Sequence, residues 1–406
     1  MRTVSALLAA ALATSVVPAV PPGAAATAPG IHRILLTPTA NPARSQYVSW
    51  SRGSASSGQR VVAVAPNGIT LTAPARRKLG TTPGTAGSRQ YRYVASLPGL
   101  APSTRYRYRI VGRGVTTRWR AFTTAGPANR SFRLLQFGDT QIDNDEVPDR
   151  IIEKATERFP DARLLLQAGD VVNKPWVGRE WSELHQSLSP AGQWRNWVSS
   201  IGNHEQCRLT SPCRSGSGRG FRSYFQFPSN GFPEQRRTWF YVDQGPARVI
   251  VLDSFASDLR RQRSFLAHAL RTNRRPWSIV LTHRGPFASV GDRTNTEMRR
   301  WFLPTLEKYD ADLVLSGHDH SYARGHKAGV TYLTSVSGPK YYATSSQDWR
   351  AGGATRVKAA YRTSTYQVIT VTPTELKVRV VVGHRGTGAT PAAKVGQAFD
   401  GFTLSR

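Results

Sequence analysis

The chain has 406 residues, 39% of them hydrophobic, so it is long enough for two domains with separate cores. Its formal net charge is +30. The arginines are scattered, and no Lys/Arg block is interleaved with aromatic residues, which argues against nucleic acid as the main partner. Adhesion to anionic wall polymers, attraction of phosphate-bearing substrates and a solvated Arg-rich surface without a partner all stay open.

The first 26 residues have the pattern of a secretory signal peptide. A basic start at residues 1–2 precedes an apolar stretch over 7–20, and small residues at 23–26 offer a cleavage site. A membrane anchor is the alternative, but the apolar run is short and is broken by Pro18. No later segment is apolar for long enough to span a bilayer. We therefore expect a secreted protein, extracellular or attached to the cell wall.

Residues 31–125 predict an all-β domain. Apolar and polar residues alternate over 47–50, 60–64 and 91–94, and clusters of Gly, Pro and Ser separate these runs. Leu100, Pro102, Thr104 and Tyr106 precede the strand at 108–110, which resembles the tyrosine corner of a fibronectin type III sandwich. Residues 122–124 would close the last strand, and 126–129 form a linker.

From residue 131 to 383 the pattern changes to strand, loop and helix. Short apolar runs predict buried strands at 132–137, 164–166, 201, 249–252, 279–281 and 313–315, and helical spacing predicts helices at 151–159, 259–270 and 298–306. This alternation is typical of α/β sheets covered by helices, which bind ligands at the carboxyl ends of their strands. Residues 384–406 are predicted as a C-terminal tail, with a last strand at 399–404.

Five short motifs follow these apolar runs. They are Gly-Asp-Thr-Gln at 138–141, Gly-Asp-Val-Val-Asn at 169–173, Gly-Asn-His-Glu at 202–205, Thr-His at 282–283 and Gly-His-Asp-His at 317–320. Together they hold the ligands of two adjacent metal ions and one further histidine. Asp139 and Gln141 are two residues apart, so both can face one side of an extended segment. Gln141 either binds the metal through its amide oxygen or forms a hydrogen bond to a residue that binds the metal.

The order of these motifs resembles the calcineurin-like metallophosphoesterases. The spacing of His318, His320, Tyr322 and Arg324 resembles their purple acid phosphatase branch. The resemblance covers most of the mature chain. It implies a fibronectin type III-like, all-β N-terminal sandwich followed by an α/β metallophosphoesterase domain with two sheets between helices (αββα). It also implies two metal ions, divalent or of mixed valence, which would be Fe, Zn or Mn.

The resemblance also implies roles for single residues. One metal would take Asp139, Gln141, Asp170 and His320, and the other would take Asp170, Asn203, His283 and His318. His204 would donate a proton to the leaving oxygen. Asn173 stands where purple acid phosphatases have a tyrosine, so we expect no purple absorption band and a role in orienting His204. Arg284, Tyr322 and Arg324 would lie behind the ligands or contact the substrate.

Hydrolysis of phosphomonoesters by a metal-bound hydroxide is the function that this resemblance implies. Phosphodiester hydrolysis at the same site is one alternative. Another alternative is a non-catalytic protein that binds wall polymers and has a decayed site. Gln141 and Asn173, which differ from the residues of the family motif, favour this alternative.

The only cysteines are Cys207 and Cys213, a short distance after His204. Two close cysteines in an exported protein predict a disulfide. A pair of metal ligands is the alternative, which the supply of His and Asp ligands makes unnecessary.

Overall fold

The computed structural model describes residues 30–78, 82–83, 89–142, 145–206, 218–230 and 237–406. The predicted signal peptide and the predicted disulfide between Cys207 and Cys213 lie outside these residues. No helix within the described ranges combines the length and the apolar character that crossing a membrane requires.

The first domain is a β-sandwich. Its strands are β1 (His32–Pro38), β2 (Gln46–Arg52), β3 (Arg60–Val64), β4 (Thr70–Arg77), β5 (Thr82–Pro83), β6 (Arg89–Leu97), β7 (Arg105–Gly112), β8 (Val115–Thr116) and β9 (Arg120–Thr123). One sheet contains β1, β2, β6 and the end of β4, and the other contains the start of β4 with β3, β7 and β9. Strand β4 therefore joins the two sheets at one edge.

Alternation along β7 explains how this sandwich closes. Tyr106, Tyr108 and Ile110 are buried, whereas the arginines between them face outward. The hydroxyl oxygen of Tyr106 accepts a hydrogen bond from the backbone N–H of Ala101 at 2.9 Å. This bond back to an upstream residue is the tyrosine corner that the sequence predicts.

The second domain contains the remaining elements. The strands are β10 (Phe132–Phe137), β11 (Leu164–Gln167), β12 (Asn196–Ser199), β13 (Phe240–Gln244), β14 (Ala247–Val251), β15 (Trp277–Leu281), β16 (Leu313–Ser316), β17 (Tyr322–Lys327), β18 (Val330–Thr334), β19 (Thr355–Val371), β20 (Glu375–Thr390) and β21 (Ala398–Ser405). The helices are α1 (Glu146–Arg158), α2 (Gly178–Gly192), α3 (Asn203–Gln206), α4 (Arg219–Tyr224), α5 (Leu259–Arg271), α6 (Thr296–Lys308) and α7 (Gln347–Ala351).

Two sheets pack face to face in this domain. The first has the order β12–β11–β10–β19–β20–β21, and the second has the order β13–β14–β15–β16–β18–β17–β19. Side chains of both, such as Leu135 and Leu281, share one core with apolar residues of α1 and α2. Helices α5 and α6 cover the other face of the second sheet. The predicted αββα architecture is confirmed.

Three predicted helices correspond to α1, α5 and α6, and the predicted strands of this domain correspond to β10, β11, β14, β15 and β16. Ile201 lies just after β12 rather than in a strand. The last strand predicted at 399–404 corresponds to β21, which pairs with β20, but residues 384–390 complete β20 instead of belonging to a tail. Helix α2 and the β17–β18 hairpin were not predicted.

The chain order of the strands brings the motifs together. β10, β11 and β12 run parallel to one another, as do β14, β15 and β16. Each motif begins within four residues of the end of one of these strands. Since the carboxyl ends of parallel strands meet at one edge, the five motif loops converge there.

The two domains share a buried polar contact around Arg92. Its guanidinium is fully buried and donates hydrogen bonds to the carbonyl oxygens of Arg33 and Tyr224, each at 2.8 Å. Arg33 and Arg92 belong to the first domain, and Tyr224 ends α4 of the second. β1 also pairs in parallel with β12, with Leu36 opposite Asn196. Hydrogen bonds to buried carbonyls on both sides therefore tie the domains together.

We expect Arg92→Ala to lower the free energy of unfolding by roughly 2–4 kcal/mol, because it leaves buried carbonyls unpaired and opens a cavity. Urea denaturation would measure the loss. Arg60→Ala, at an exposed position of β3, is the control. An Arg92→Ala protein as stable as the control variant would contradict this account of the contact.

Candidate metal centre

Asp170 lies at the middle of the convergent loops and is almost fully buried, with 1% of its surface exposed. Its Oδ1 accepts a hydrogen bond from the backbone N–H of His204 at 3.0 Å. Its Oδ2 lies 3.1 Å from His283 Nε2 and 3.3 Å from Gln141 Nε2. The carboxylate thus faces residues of three other motif loops.

His283 is fully buried and faces oxygen and nitrogen acceptors. Its Nδ1 lies 2.7 Å from the carbonyl oxygen of Ala168, so this nitrogen carries the hydrogen and donates it. Its Nε2 lies 3.2 Å from Asn203 Oδ1 and 3.3 Å from His318 Nδ1. These buried oxygen and nitrogen atoms around Nε2 fit a cation at this position, either a proton on the ring or a metal ion.

Two sets of ligand atoms meet the distance requirement for a metal ion. Asp170, His283 and His318 bring theirs within 4.8 Å of one another, and so do Asp139, Asp170 and His320. Asp170 belongs to both sets. Asn203 Oδ1 lies 3.2 Å from His283 Nε2 of the first set. Gln141 Nε2 lies 3.3 Å from Asp170 Oδ2, which belongs to both sets. The structure therefore brings together all seven residues that the sequence analysis assigned to two metals.

The backbone at these residues is held in an unusual conformation. Five of them have positive φ angles between 41° and 73°, namely Asp139, Gln141, Asp170, His318 and His320. Side-chain-bearing residues rarely adopt this region, and it costs about 1–3 kcal/mol each. The glycines of the motifs allow the loops to approach closely. A Cβ at Gly202 would collide with Asp170 Oδ1, and one at Gly317 would collide with Asp139 Oδ2.

The electrostatics of the pocket suit neutral imidazole ligands. Burial lowers the pKa of His318 well below its usual value, and burial together with Lys340 lowers the pKa of His320 to about 3. Burial also opposes the charged form of His283, but Asp170 and Asp139 outweigh it and raise the pKa of His283 to about 9. The two carboxylates therefore attract positive charge to this position, which a metal ion could supply instead of a proton.

His204 lies beside this pocket and is partly open to solvent, with 24% of its side chain exposed. Its Nδ1 lies 2.6 Å from the backbone carbonyl oxygen of Asn173, and its Nε2 lies 3.8 Å from Asp170 Oδ2. The carbonyl of Asn173 thus fixes the ring orientation. The backbone of residue 173, rather than its side chain, therefore orients His204, and this contact does not depend on the residue type.

Glu205 was not given a role by the sequence analysis. It is buried, and its carboxylate accepts hydrogen bonds from the backbone N–H groups of Asp170, Val172 and Gly202 at 2.9–3.1 Å. Burial and the charge of Asp170 raise its pKa to about 8, against the effect of these donors. Glu205 therefore fastens the loop after β11 to the loop after β12. An acidic residue next to Asn203 and His204 was the available signal.

The other predicted site residues contact different partners. Arg284 forms an ion pair with Glu297 at 2.7 Å, and its guanidinium packs on the ring of Phe255. Tyr322 and Arg324 both hydrogen-bond to Asp400 of β21, at 2.6 Å and 2.8 Å. Tyr322 and Arg324 therefore attach the last strand to the segment that carries His318 and His320.

Comparison with known proteins agrees with this geometry. Residues 132–322 match the family model of the calcineurin-like phosphoesterases, and residues 31–124 match the model of the purple acid phosphatase N-terminal domain. Together these two matches cover most of the chain. The chain therefore contains a calcineurin-like phosphoesterase domain that follows a purple acid phosphatase N-terminal domain.

Curated relatives match about half of the length of this chain. An uncharacterized protein of Mycobacterium tuberculosis is 26% identical over 256 residues, which are 54% of this chain and 48% of the relative. Human acid phosphatase type 7 is 27% identical over 245 residues, 52% of this chain and 51% of the relative. The chain thus spans about half the length of these curated relatives.

A solved structure supports the fold over a longer range. Purple acid phosphatase from yellow lupin (Lupinus luteus) seeds superposes with a TM-score of 0.76 at 18% identity. The superposition covers 93% of this chain and 75% of the lupin chain. At this identity the likeness concerns the fold alone.

Loss of a residue that hydrogen-bonds to a metal ligand weakens metal binding by about 10- to 100-fold. We expect Asp170→Asn to weaken it more than that, because it removes a carboxylate from both ligand sets. Elemental analysis after dialysis would measure bound Fe, Zn and Mn. Asp161→Asn is the matched control, since Asp161 is exposed and pairs with Arg133. Equal metal content in both variants would contradict the shared position of Asp170.

Proposed function

We propose that this phosphoesterase hydrolyses phosphomonoesters at a binuclear metal centre. The observation that supports this most strongly is the pair of ligand sets that share Asp170. One set would be completed by Gln141 and the other by Asn203. The mixture of carboxylate, amide and imidazole ligands suits Fe, Zn or Mn.

Charge supports a phosphate ester as the substrate. Asp139 and Asp170 are the carboxylates of the two ligand sets, so two divalent ions would leave a net charge of about +2. When bound, such ions stabilise the negative charge of a transferring phosphoryl group as Lewis acids. A dianionic phosphomonoester matches the excess charge, which favours monoesters over the singly charged diesters.

The residues around this position would divide two tasks. The seven ligand residues would hold the metal ions next to which the phosphoryl group binds, and His204 would hold a proton for the leaving oxygen. His204 suits this task because the carbonyl of Asn173 fixes its ring through Nδ1, while Nε2 faces the pocket. Asn173 supplies no phenolate, so we expect a colourless or pale metal-loaded protein rather than a purple one.

Paired assays would test this function. We expect metal-dependent hydrolysis of p-nitrophenyl phosphate, with a higher kcat/KM than for bis-p-nitrophenyl phosphate. A preference for the diester would show that the protein is a phosphodiesterase that uses the same site. No hydrolysis of either ester by protein loaded with Fe, Zn or Mn would favour the non-catalytic alternative.

We expect His204→Ala to retain metals but to lower turnover by about 100-fold or more, the usual scale for a general acid. The loss should be larger for an alkyl phosphate than for p-nitrophenyl phosphate, because a poor leaving group needs the proton more. His326→Ala, at an exposed position of β17, is the control. Loss of metal from the His204→Ala protein would show that His204 is a ligand instead.

Export of the protein is part of this proposal. The basic, apolar and small-residue segments of residues 1–26 support removal of a signal peptide. Sequencing the N-terminus of the protein from culture medium or from the wall fraction would test it, and an intact Met1 in an exclusively cytosolic protein would contradict it.

A basic face of the first domain supports adhesion to anionic wall polymers. Arg105, Arg107 and Arg109 project from the outward face of β7, and Trp119 packs against the last two guanidinium groups, 5.0 Å and 4.5 Å from their carbon atoms. Sedimentation with an anionic polymer should be lost at high salt and reduced when all three arginines are replaced. Unchanged sedimentation of the triple variant would contradict the role of this face.

A further inference from the structure

The loop after β18 borders the candidate metal centre. The rings of Tyr342 and His320 have centroids 4.8 Å apart, and the backbone N–H of Tyr342 donates to the carbonyl oxygen of His320 at 3.3 Å. In return, His320 Nδ1 lies 3.2 Å from the carbonyl oxygen of Lys340. A proposed metal ligand is therefore held directly by this loop, and Tyr342 forms a wall beside it.

Two cations flank the ring of Tyr342. The Nζ atom of Lys340 lies 5.4 Å from the ring centroid, and the guanidinium carbon of Arg293 lies 4.9 Å from it. Arg293 is anchored, because its Nη1 donates to the carbonyl oxygen of His318 at 2.6 Å and to Asp319 Oδ1 at 3.1 Å. Both cations thus stand at the edge of the pocket that contains His318 and His320.

Among the residues that the structure describes, Arg293 has an acidic partner and Lys340 has none. Its side chain is exposed, and no carboxylate in the described part of the chain forms an ion pair with it. Its positive charge contributes to the low pKa of His320, which agrees with its position next to that ring. A free ammonium group held against an aromatic ring at the pocket edge can bind an anion that approaches from the solvent.

Charge balance indicates which anion this could be. One phosphoryl group already neutralises the excess charge of the proposed metal pair, and both carboxylates of the ligand sets are used by the metals. A second anionic group on the same substrate would need a cation outside the ligand sets. Lys340 is such a cation, next to the proposed ligand His320.

We propose that Lys340, positioned by Tyr342, binds a second anionic group on the organic part of the phosphomonoester, so that the preferred substrates carry a carboxylate or a further phosphate. This inference rests on the proposed phosphoesterase function. It makes Lys340 a specificity-determining residue and Tyr342 the residue that positions it.

Equilibrium binding of phosphonates tests this without turnover. Propylphosphonate and phosphonopropionate are of similar size and share the phosphonate group, but only the second carries a carboxylate. Titration calorimetry on the metal-loaded protein should give tighter binding of phosphonopropionate. We expect Lys340→Met to reduce this preference about fivefold, the upper range for one solvent-exposed ion pair. Tyr342→Leu should reduce it in the same direction.

Lys377→Met is the matched control. Lys377 is exposed on β20 and lies opposite Thr370 of β19, which in turn lies opposite Arg133 near the start of β10. The metal-binding loops follow the other ends of the strands. The control should keep the full preference. Ethylenediphosphonate, measured in parallel, distinguishes the second group. A Lys340→Met effect confined to it assigns a phosphate, and an effect confined to phosphonopropionate assigns a carboxylate.

The outcomes separate this inference from the proposed function. If the parent binds propylphosphonate but Lys340→Met keeps the full preference for both doubly anionic ligands, the role of Lys340 is refuted and the phosphoesterase function stands. If the metal-loaded parent binds none of the phosphonates and hydrolyses no ester, both are refuted.

Discussion

The constraint on which this structure depends is a buried cluster of oxygen and nitrogen atoms that converge on His283 and Asp170. Nε2 of His283 faces Asp170 Oδ2, Asn203 Oδ1 and His318 Nδ1 within 3.3 Å. A buried polar group without a partner costs about 1–3 kcal/mol, and a buried unpaired charge costs more. A chain of marginal stability can keep such a cluster only if a cation, either a proton or a metal ion, occupies it. The position of Asp170 between two ligand sets favours metal.

Holding this cluster together requires support from distant parts of the chain. Glu205 binds three backbone N–H groups and so fixes the loops after β11 and β12 to each other. On the opposite side, Asp400 of the last strand binds Tyr322 and Arg324, which follow His318 and His320 in the chain. Five proposed ligands have positive φ angles, a strain that persists only where the surrounding structure holds the backbone, and these contacts are part of that structure. The C-terminal strand therefore belongs to the support of the site.

The architecture and the site composition could be predicted because both leave short-range signals. Apolar runs ending in Gly-Asp, Gly-Asn or Gly-His identified the strand ends, and the tyrosine corner identified the first domain. The assignment of residues 384–390 to a tail was wrong because their Gly-rich composition hid the end of β20, whose pairing with β19 is tertiary. Glu205, Lys340 and the Asn173 carbonyl were missed for a related reason. Their roles come from contacts between loops, which the residue types do not reveal, and a backbone carbonyl has no sequence signal at all.

The sharing of Asp170 by two metal ions is the central claim, and anomalous diffraction tests it most directly. Crystals of the protein loaded with zinc or manganese would be measured on both sides of the absorption edge of the metal. We predict two anomalous peaks that both contact the Asp170 carboxylate, with His283 and His318 on one of them and His320 on the other. A single peak, or two peaks of which only one contacts Asp170, would contradict the account.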